Sequence, residues 1–166
     1  MAEKNYAVCA TPIGELYIVC DNEKIIAVHL DRESFLEEFE VRPVRNDSHP
    51  LLKEAVRQLQ EYFSGIRKEF VLPFELQGTP FQLSVWRELQ RIPYGETRCY
   101  EQIAIAVGNK NAVRAIGQAN RANPLPIIIP CHRVIGKNKK LTGYAGKKLD
   151  VKAKLLELEG AFYRKD

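Results

Sequence analysis

The sequence lacks any apolar run long enough to cross a membrane. Its longest uninterrupted apolar stretch is residues 125–130, whereas a membrane-spanning helix needs about 20 apolar residues. The first ten residues carry polar and acidic side chains where a signal peptide has an apolar core, so nothing in them indicates export. We therefore expect a cytoplasmic protein, or a nuclear one if its source is a eukaryote.

Cysteines are few and widely spaced, and no CxxC pair occurs among Cys9, Cys20, Cys99 and Cys131. This spacing is typical of reduced thiols rather than of a disulfide framework. Cys9, Cys20 and His29 share the N-terminal half, but three potential ligands without compact spacing are a weak zinc signal. We predict no metal site.

Acidic side chains are absent from residues 102–149, although nine lysines and arginines lie there. The whole chain of 166 residues carries 25 basic and 21 acidic side chains, a net charge of +4. Residues 1–75 hold 9 basic and 14 acidic side chains, and residues 76–166 hold 16 and 7. A polyanion would therefore meet one basic half.

The first half of the chain predicts an antiparallel β-meander with one helix. Short β-rich runs separated by turn residues occupy residues 6–10, 16–20 and 25–30. Apolar side chains then recur at helical spacing over residues 51–63, and residues 70–72 are a further candidate strand. We predict a scaffold domain over residues 1–75.

The second half predicts a mostly helical domain over residues 76–166, which makes the fold class α+β. A helix starts at Thr79-Pro80, and residues 100–107 and 111–122 read as two helices joined by a turn of helix-turn-helix length. The apolar residues 125–129 predict a buried strand that leads to Cys131, and residues 149–159 predict a closing helix.

The predicted helix 111–122 consists of small residues around one arginine, Arg114. A helix lined by Ala and Gly can approach a narrow surface such as the minor groove closely, with the arginine as a probe. The same pattern is equally typical of a tightly packed core helix. The surrounding stretch without carboxylates favours DNA.

Cys131 is the candidate nucleophile, because polar His132 and Arg133 follow it where burial should have continued. Cationic neighbours lower the pKa of a thiol and make it more reactive. The other three cysteines fit apolar core patterns. If Cys131 and His132 were both extended, their side chains would point to opposite faces, so a bridging water or a sharp turn would be needed.

The half from Gly78 to Gly160 closely resembles the O6-alkylguanine-DNA alkyltransferases, which repair DNA by direct reversal. The resemblance rests on six ordered motifs: residues 129–134 (IPCHRV), residues 79–86 (TPFQLSVW), residues 93–97 (PYGET), residues 114–117 (RAIG), Asn123-Pro124 and Glu159-Gly160. The first 75 residues resemble the family's ribonuclease-H-like domain in pattern only.

The resemblance implies that Cys131 takes the alkyl group from O6-alkylguanine in duplex DNA, after the base has flipped, and keeps it as a thioether. It leaves open whether O4-alkylthymine is also repaired. His132 would deprotonate Cys131 through a water, and Glu159 would orient His132. Tyr100 would help rotate the nucleotide and protonate the departing guanine, and Asn123 would brace the turn. The reaction would need no cofactor, and each molecule would react once.

The resemblance also implies a DNA-binding surface and an alkyl pocket. Arg114 would enter the duplex from the minor groove where the base has left. The other implied DNA contacts are Ala112, Ala115, Gly117 and Arg121, and the implied substrate contacts are Pro126, Tyr144, the backbone N–H of Ala145, and the carbonyls of Cys131 and Val134. Asn120 replaces a more apolar residue of some members. We expect a monomer that binds double-stranded DNA.

Two other classes of protein share part of the pattern. A helix-turn-helix transcription regulator would have the basic half but no need of Cys131, and it would bind a specific operator. A cysteine hydrolase would use Cys131 with a histidine and would turn over an ester or amide repeatedly.

Overall fold

The computed structural model describes residues 3–141 and 148–165. Contacts within the chain divide it into two units, Met1–Leu76 and Gln77–Asp166. The first unit contains a four-stranded sheet that is mostly antiparallel, and the second is mostly helical. The α+β fold class predicted from the sequence is confirmed.

The predicted β-meander forms the sheet of the N-terminal unit. Its strands, in the spatial order β3-β2-β1-β4, are β1 (Asn5–Thr11), β2 (Gly14–Cys20), β3 (Ile25–His29) and β4 (Val44–Arg45). The meander strands pair antiparallel, and the two-residue β4, which the sequence did not predict, pairs parallel with β1. Gly14 has φ 108° in the tight β1–β2 turn, a backbone region that favours glycine.

Two helices accompany this sheet. The predicted helix α2 (Pro50–Phe63) packs on β1 and β2 and buries Leu52, Leu59 and Tyr62. The shorter α1 (Arg32–Glu38) was not predicted. It begins where the Asp31 carboxylate accepts the Ser34 N–H at 2.7 Å, a typical N-cap, and it buries a single residue.

Residues 70–72 do not form the candidate strand. Gln58 of α2 accepts the Val71 N–H at 2.9 Å and donates to the Val71 carbonyl at 3.0 Å. The backbone groups that a neighbouring strand would have paired are thus satisfied by one side chain. The chain reaches the sheet only at Phe74, as an isolated bridge to Ile25.

The C-terminal unit contains four helices among the described residues. They are α3 (Pro80–Leu89), α4 (Tyr100–Ala106), α5 (Val113–Arg121) and α6 (Leu149–Glu159). Two short strands, β5 (Arg98–Cys99) and β6 (Val134–Ile135), pair parallel. Thr79 and Gln82 form a capping box at the start of α3, and Trp86 donates its indole N–H to the Ala119 carbonyl of α5 at 2.8 Å.

The prediction of a buried strand over residues 125–129 is wrong. These residues form a turn in which Ile129 N–H donates to the Leu125 carbonyl at 2.8 Å and Ile127 has φ 75°. Prolines at positions 124, 126 and 130 remove the N–H groups that a strand would need. The apolar run is buried as expected, but as a turn.

No helix in residues 3–141 or 148–165 combines the length and the apolar character needed to cross a membrane.

His29, at the end of β3, lies among aromatic side chains of the N-terminal unit. Its ring centroid is 5.9 Å from that of Phe35 and 6.1 Å from that of Phe39. Within the described part of the chain, its buried Nε2 has no hydrogen-bond partner. Burial lowers the pKa of His29, and the charges of two nearby carboxylates, Glu38 and Asp31, only partly oppose this effect.

We predict that acid weakens the N-terminal unit through His29. Because its folded-state pKa lies below the ordinary value of 6.5, its contribution to stability is full above that pH and is lost as the pH falls through the folded-state pKa. His29→Phe should therefore flatten the fall in unfolding free energy between about pH 7 and pH 5, measured by urea titration. His49→Asn, which keeps a capping side chain at the start of α2, is the control and should retain the wild-type slope.

Candidate active site

Cys131 opens a short 3-10 turn, Cys131–Arg133, whose three side chains are all buried. Pro130 precedes it with φ −80° and ψ 65°, so that the Cys131 N–H donates back to the Ile129 carbonyl at 2.8 Å. The Cys131 carbonyl accepts the Val134 N–H at the other end of the turn. Neighbouring side chains therefore do not alternate between opposite faces here, as they would in a strand.

His132 and Arg133 share one buried carboxylate, that of Glu159. His132 Nε2 lies 2.7 Å from Glu159 Oε2, Arg133 Nε donates to Oε1 at 2.8 Å, and Arg133 Nη2 donates to Oε2 at 3.0 Å. Arg133 Nη1 also donates to the Ile92 carbonyl at 2.7 Å. Gly160, at φ 71°, ends α6 directly after the carboxylate. Glu159 thus binds two residues that precede it in the sequence by 27 and 26 positions.

The charge states in this network follow from its contacts. Burial alone would raise the pKa of Glu159, but the hydrogen bonds and charges of His132 and Arg133 outweigh burial and lower that pKa to about 2. Burial, together with the charges of Arg133 and Lys152, lowers the pKa of His132 more than the hydrogen bond and charge of Glu159 raise it. His132 is therefore neutral at pH 7. Its Nε2 then carries the proton that bonds Glu159, which leaves Nδ1 as a proton acceptor.

Lys152 is a polar residue of the site that the sequence analysis missed. It is fully buried on α6, and its ammonium group lies 5.9 Å from the centre of the Tyr100 ring. Burial lowers the pKa of Lys152 to about 8, and the charge of Cys131 opposes this shift. By the same interaction, a charged Lys152 favours the Cys131 thiolate. The available signal was its position on the apolar face of α6, three residues before Leu155.

Two asparagines at the end of α5 and just after it bind the backbone that leads to Cys131 and that of Cys131 itself. Asn123 donates its amide to the Ile129 carbonyl at 2.9 Å, and its side-chain oxygen accepts the Leu125 N–H at 2.9 Å. Asn120, which replaces a more apolar residue of some family members, is 98% buried and donates to the Cys131 carbonyl at 3.2 Å. Its position four residues after buried Ile116 could have indicated this.

Helix α5 separates its implied DNA contacts from its core face. Arg114 and Arg121 are exposed, and Ala112, Ala115 and Gly117 are partly exposed. An added Cβ at Gly117 would lie 4.0 Å from the Tyr100 ring, so α5 and Tyr100 are close. Among the implied substrate contacts Pro126 and Val134 are buried, whereas Tyr144 and Ala145 lie outside the described residues.

Of the other three cysteines, Cys9 and Cys20 are poor nucleophiles and Cys99 lies outside the turn of Cys131. Burial raises the pKa of Cys9, and burial together with the charge of Asp21 raises that of Cys20 to about 11. Cys99 is half-buried at the start of α4. Within residues 3–141 and 148–165, no group of three or more His, Cys, Asp and Glu side chains could hold a metal ion.

Fold and site together define a two-unit α+β protein whose C-terminal unit presents a cysteine against a buried His–Glu–Arg network. Comparison with family models gives the same division of the chain. Residues 4–76 match the ribonuclease-like domain of 6-O-methylguanine DNA methyltransferase, and residues 80–161 match the DNA binding domain of the same proteins. The chain belongs to the 6-O-methylguanine DNA methyltransferase family.

Individual relatives cover almost the whole chain. The constitutive methylated-DNA–protein-cysteine methyltransferase of Bacillus subtilis is 52% identical over 96% of this chain and 97% of its own length. The enzyme of that name from Methanosarcina acetivorans is 46% identical over 94% of this chain and 98% of its own. The crystal structure of Mycobacterium tuberculosis OGT in complex with DNA has a TM-score of 0.86 and 40% identity, and it covers 94% of this chain and 92% of its own.

We predict that Arg133→Met destabilises the protein strongly. The substitution leaves the Glu159 carboxylate buried without its bidentate partner, and breaking a buried ion pair in this way costs about 3–5 kcal/mol of unfolding free energy. The matched control is Arg45→Met, which breaks an exposed pair with Asp47 and should cost less than about 1 kcal/mol. Urea titration measures both, and equal losses would contradict this account of the network.

Proposed function

We propose that the protein repairs DNA by direct reversal, transferring the alkyl group of O6-alkylguanine irreversibly to Cys131. The observation that carries the proposal is the 3-10 turn in which Cys131 is followed by a buried histidine that contacts a buried carboxylate. Membership of the family and the names of close relatives support the same reaction.

The proposed chemistry assigns each proton to a residue of the site. The Cys131 proton passes through a water to Nδ1 of His132, and Glu159 holds the resulting imidazolium. The thiolate, favoured by Lys152, attacks the alkyl carbon, and the carbon–oxygen bond breaks toward guanine. Tyr100 gives its proton to the departing guanine, which would otherwise leave as an anion and be a poor leaving group. Asn123 keeps the turn in place.

The product explains why turnover stops after one reaction. An S-alkyl cysteine is a thioether without a water-labile bond, so the thiol is not regenerated by hydrolysis. We propose a stoichiometric, self-inactivating reaction that needs no cofactor. Whether O4-alkylthymine is also accepted depends on a substrate pocket that includes Pro126, the Val134 carbonyl, Tyr144 and the Ala145 N–H.

We propose that double-stranded DNA is bound through α5, in the minor groove. The exposed Arg114 would occupy the space that the flipped nucleotide leaves, while Ala112, Ala115 and Gly117 permit close approach and Arg121 meets phosphate. The DNA complex of the Mycobacterium tuberculosis structure supports DNA as the partner. In this scheme residues 76–166 bind DNA and react, residues 1–75 are a scaffold, and the protein acts as a monomer.

The first test is alkyl uptake from a duplex oligonucleotide that contains O6-methylguanine. Wild-type protein should gain one methyl group on the Cys131 peptide, detected by mass spectrometry, and Cys131→Ser should gain none. Cys99→Ala removes the half-buried thiol at the start of α4 and should leave uptake intact.

Two outcomes would overturn the assignment. Uptake that survives in Cys131→Ser would move the reaction to another residue. Wild-type protein that stays unmodified would favour a DNA-binding regulator, and repeated hydrolysis of an ester or amide would favour a cysteine hydrolase.

The second test separates the DNA surface from the chemistry. Flipping a base costs a few kcal/mol of unstacking, and each 1.4 kcal/mol changes a rate ten-fold, so Arg114→Ala should slow methyl transfer from duplex DNA by about 10- to 100-fold. Transfer from the free base O6-benzylguanine should not change. Arg42→Ala makes the same charge change at an exposed site of the other unit and is the control. Equal slowing with the free base would assign Arg114 to the thiol chemistry instead.

A further inference from the structure

Helix α5 touches the reactive turn through a buried amide that the proposed chemistry does not use. Asn120 lies six residues after the exposed Arg114, near the opposite end of the same helix. Its side-chain nitrogen donates to the Cys131 carbonyl at 3.2 Å. The helix that presents Arg114 to solvent therefore also binds the residue that carries the thiol.

The backbone of Cys131 is held at both of its polar groups. Its N–H donates to the Ile129 carbonyl, and its carbonyl accepts both the Val134 N–H and the Asn120 amide. A carbonyl oxygen has two lone pairs, so both acceptor positions are occupied by fixed donors, which argues against the substrate contact implied for this carbonyl by the family resemblance. The first two contacts come from the adjoining backbone, whereas the Asn120 contact comes from another element, α5.

The side-chain oxygen of Asn120 indicates that this residue does not serve stability. Its side-chain oxygen is buried, and within the described part of the chain nothing donates to it. A buried acceptor without a donor is unfavourable, and such groups call for an explanation other than stability. An apolar residue of similar size would avoid this cost, and the Cys131 carbonyl would still keep the Val134 N–H.

We propose that Asn120 is a positioning residue for the alkyl transfer. Its amide fixes the orientation of the Cys131 carbonyl relative to α5. The thiol of the same residue is thereby oriented as well. The thiol can then attack the alkyl carbon in line only when α5 and the turn of Cys131 keep this relative position. This inference rests on the proposed function, because it assumes that a substrate bound along α5 is attacked by Cys131.

The first variant is Asn120→Leu, which removes the amide with little change in volume. Misplacing a reacting atom by about 1 Å costs roughly 100-fold, so methyl transfer from an O6-methylguanine duplex should slow about 10- to 100-fold. Affinity for the undamaged duplex should stay within about two-fold, and the urea midpoint should equal or exceed that of wild type. Gln60→Leu removes an exposed amide from α2, outside the proposed DNA surface, and should leave the transfer rate unchanged.

The second variant, Asn120→Asp, gives a readout that a purely structural role would not produce. A protonated carboxyl group can still donate to the Cys131 carbonyl, whereas an ionised one repels it and also disfavours the thiolate. The transfer rate of wild type should rise with pH as the thiolate forms and should fall only above about pH 8, where Lys152 loses its charge. The rate of Asn120→Asp should already fall at a lower pH, as its carboxyl group ionises. Cys131, His132, Lys152 and Tyr100 are present in both proteins, so the difference between the curves reports on position 120.

The outcomes separate this inference from the proposed function. An Asn120→Leu protein that reacts at the wild-type rate, or that slows only as far as its lowered stability explains, would overturn the role of Asn120, as would an Asn120→Asp profile parallel to that of wild type. If wild-type protein takes no methyl group from the duplex, the proposed function fails. Alkylation of the Cys131 peptide by iodoacetamide, followed against pH, then still shows whether Asn120 controls the thiol, with unchanged profiles in both variants counting against it.

Discussion

The candidate site depends on how one buried carboxylate is neutralised. Glu159 stands at the C-terminal end of α6, where the helix dipole disfavours a negative charge, and it is almost fully removed from water. Arg133 supplies the opposite charge in a bidentate pair, which leaves His132 free to remain neutral. The same contacts join α6 to the turn of Cys131 and, through the Ile92 carbonyl, to the segment after α3. The hydrogen bonds of Glu159 and Arg133 thus both hold these elements together and set the charge state of His132.

Around this network the C-terminal unit buries more polar groups than stability alone would favour. His132 lies in the turn that carries Cys131, and Asn120 binds the Cys131 carbonyl. Asn123 binds Ile129 just before that turn, and buried Lys152 is close enough for its charge to interact with Cys131. Each loses water on folding, and each has at least one specific contact that fixes its orientation. A site that must present one thiol in one direction benefits from this arrangement, because a fixed turn needs no reorganisation when the substrate arrives.

Elements with a long hydrophobic pattern were predictable, and short ones were not. The meander and α2 follow from periods of 2 and 3.6 over five or more residues. Helix α1 buries only Phe35, and β4 has two residues, so neither repeats a period. Residues 125–129 are apolar enough for a strand, but their prolines and the clasp of Asn123 favour a turn. The backbone of Val71 is paired by Gln58, 13 positions earlier in the sequence, and the local pattern does not contain this contact.

The sequence by itself determined the fold class, the basic C-terminal half and the candidate nucleophile. These depend on local periodicity, on composition and on the residues beside Cys131, all of which can be read without knowing how the chain folds. Only the tertiary structure decided that Arg133 and His132 share Glu159, that Lys152 lies under Tyr100, and that Asn120 faces the Cys131 carbonyl instead of solvent. Such contacts join positions 11 to 52 residues apart, and the packing of helices determines which face of each is buried.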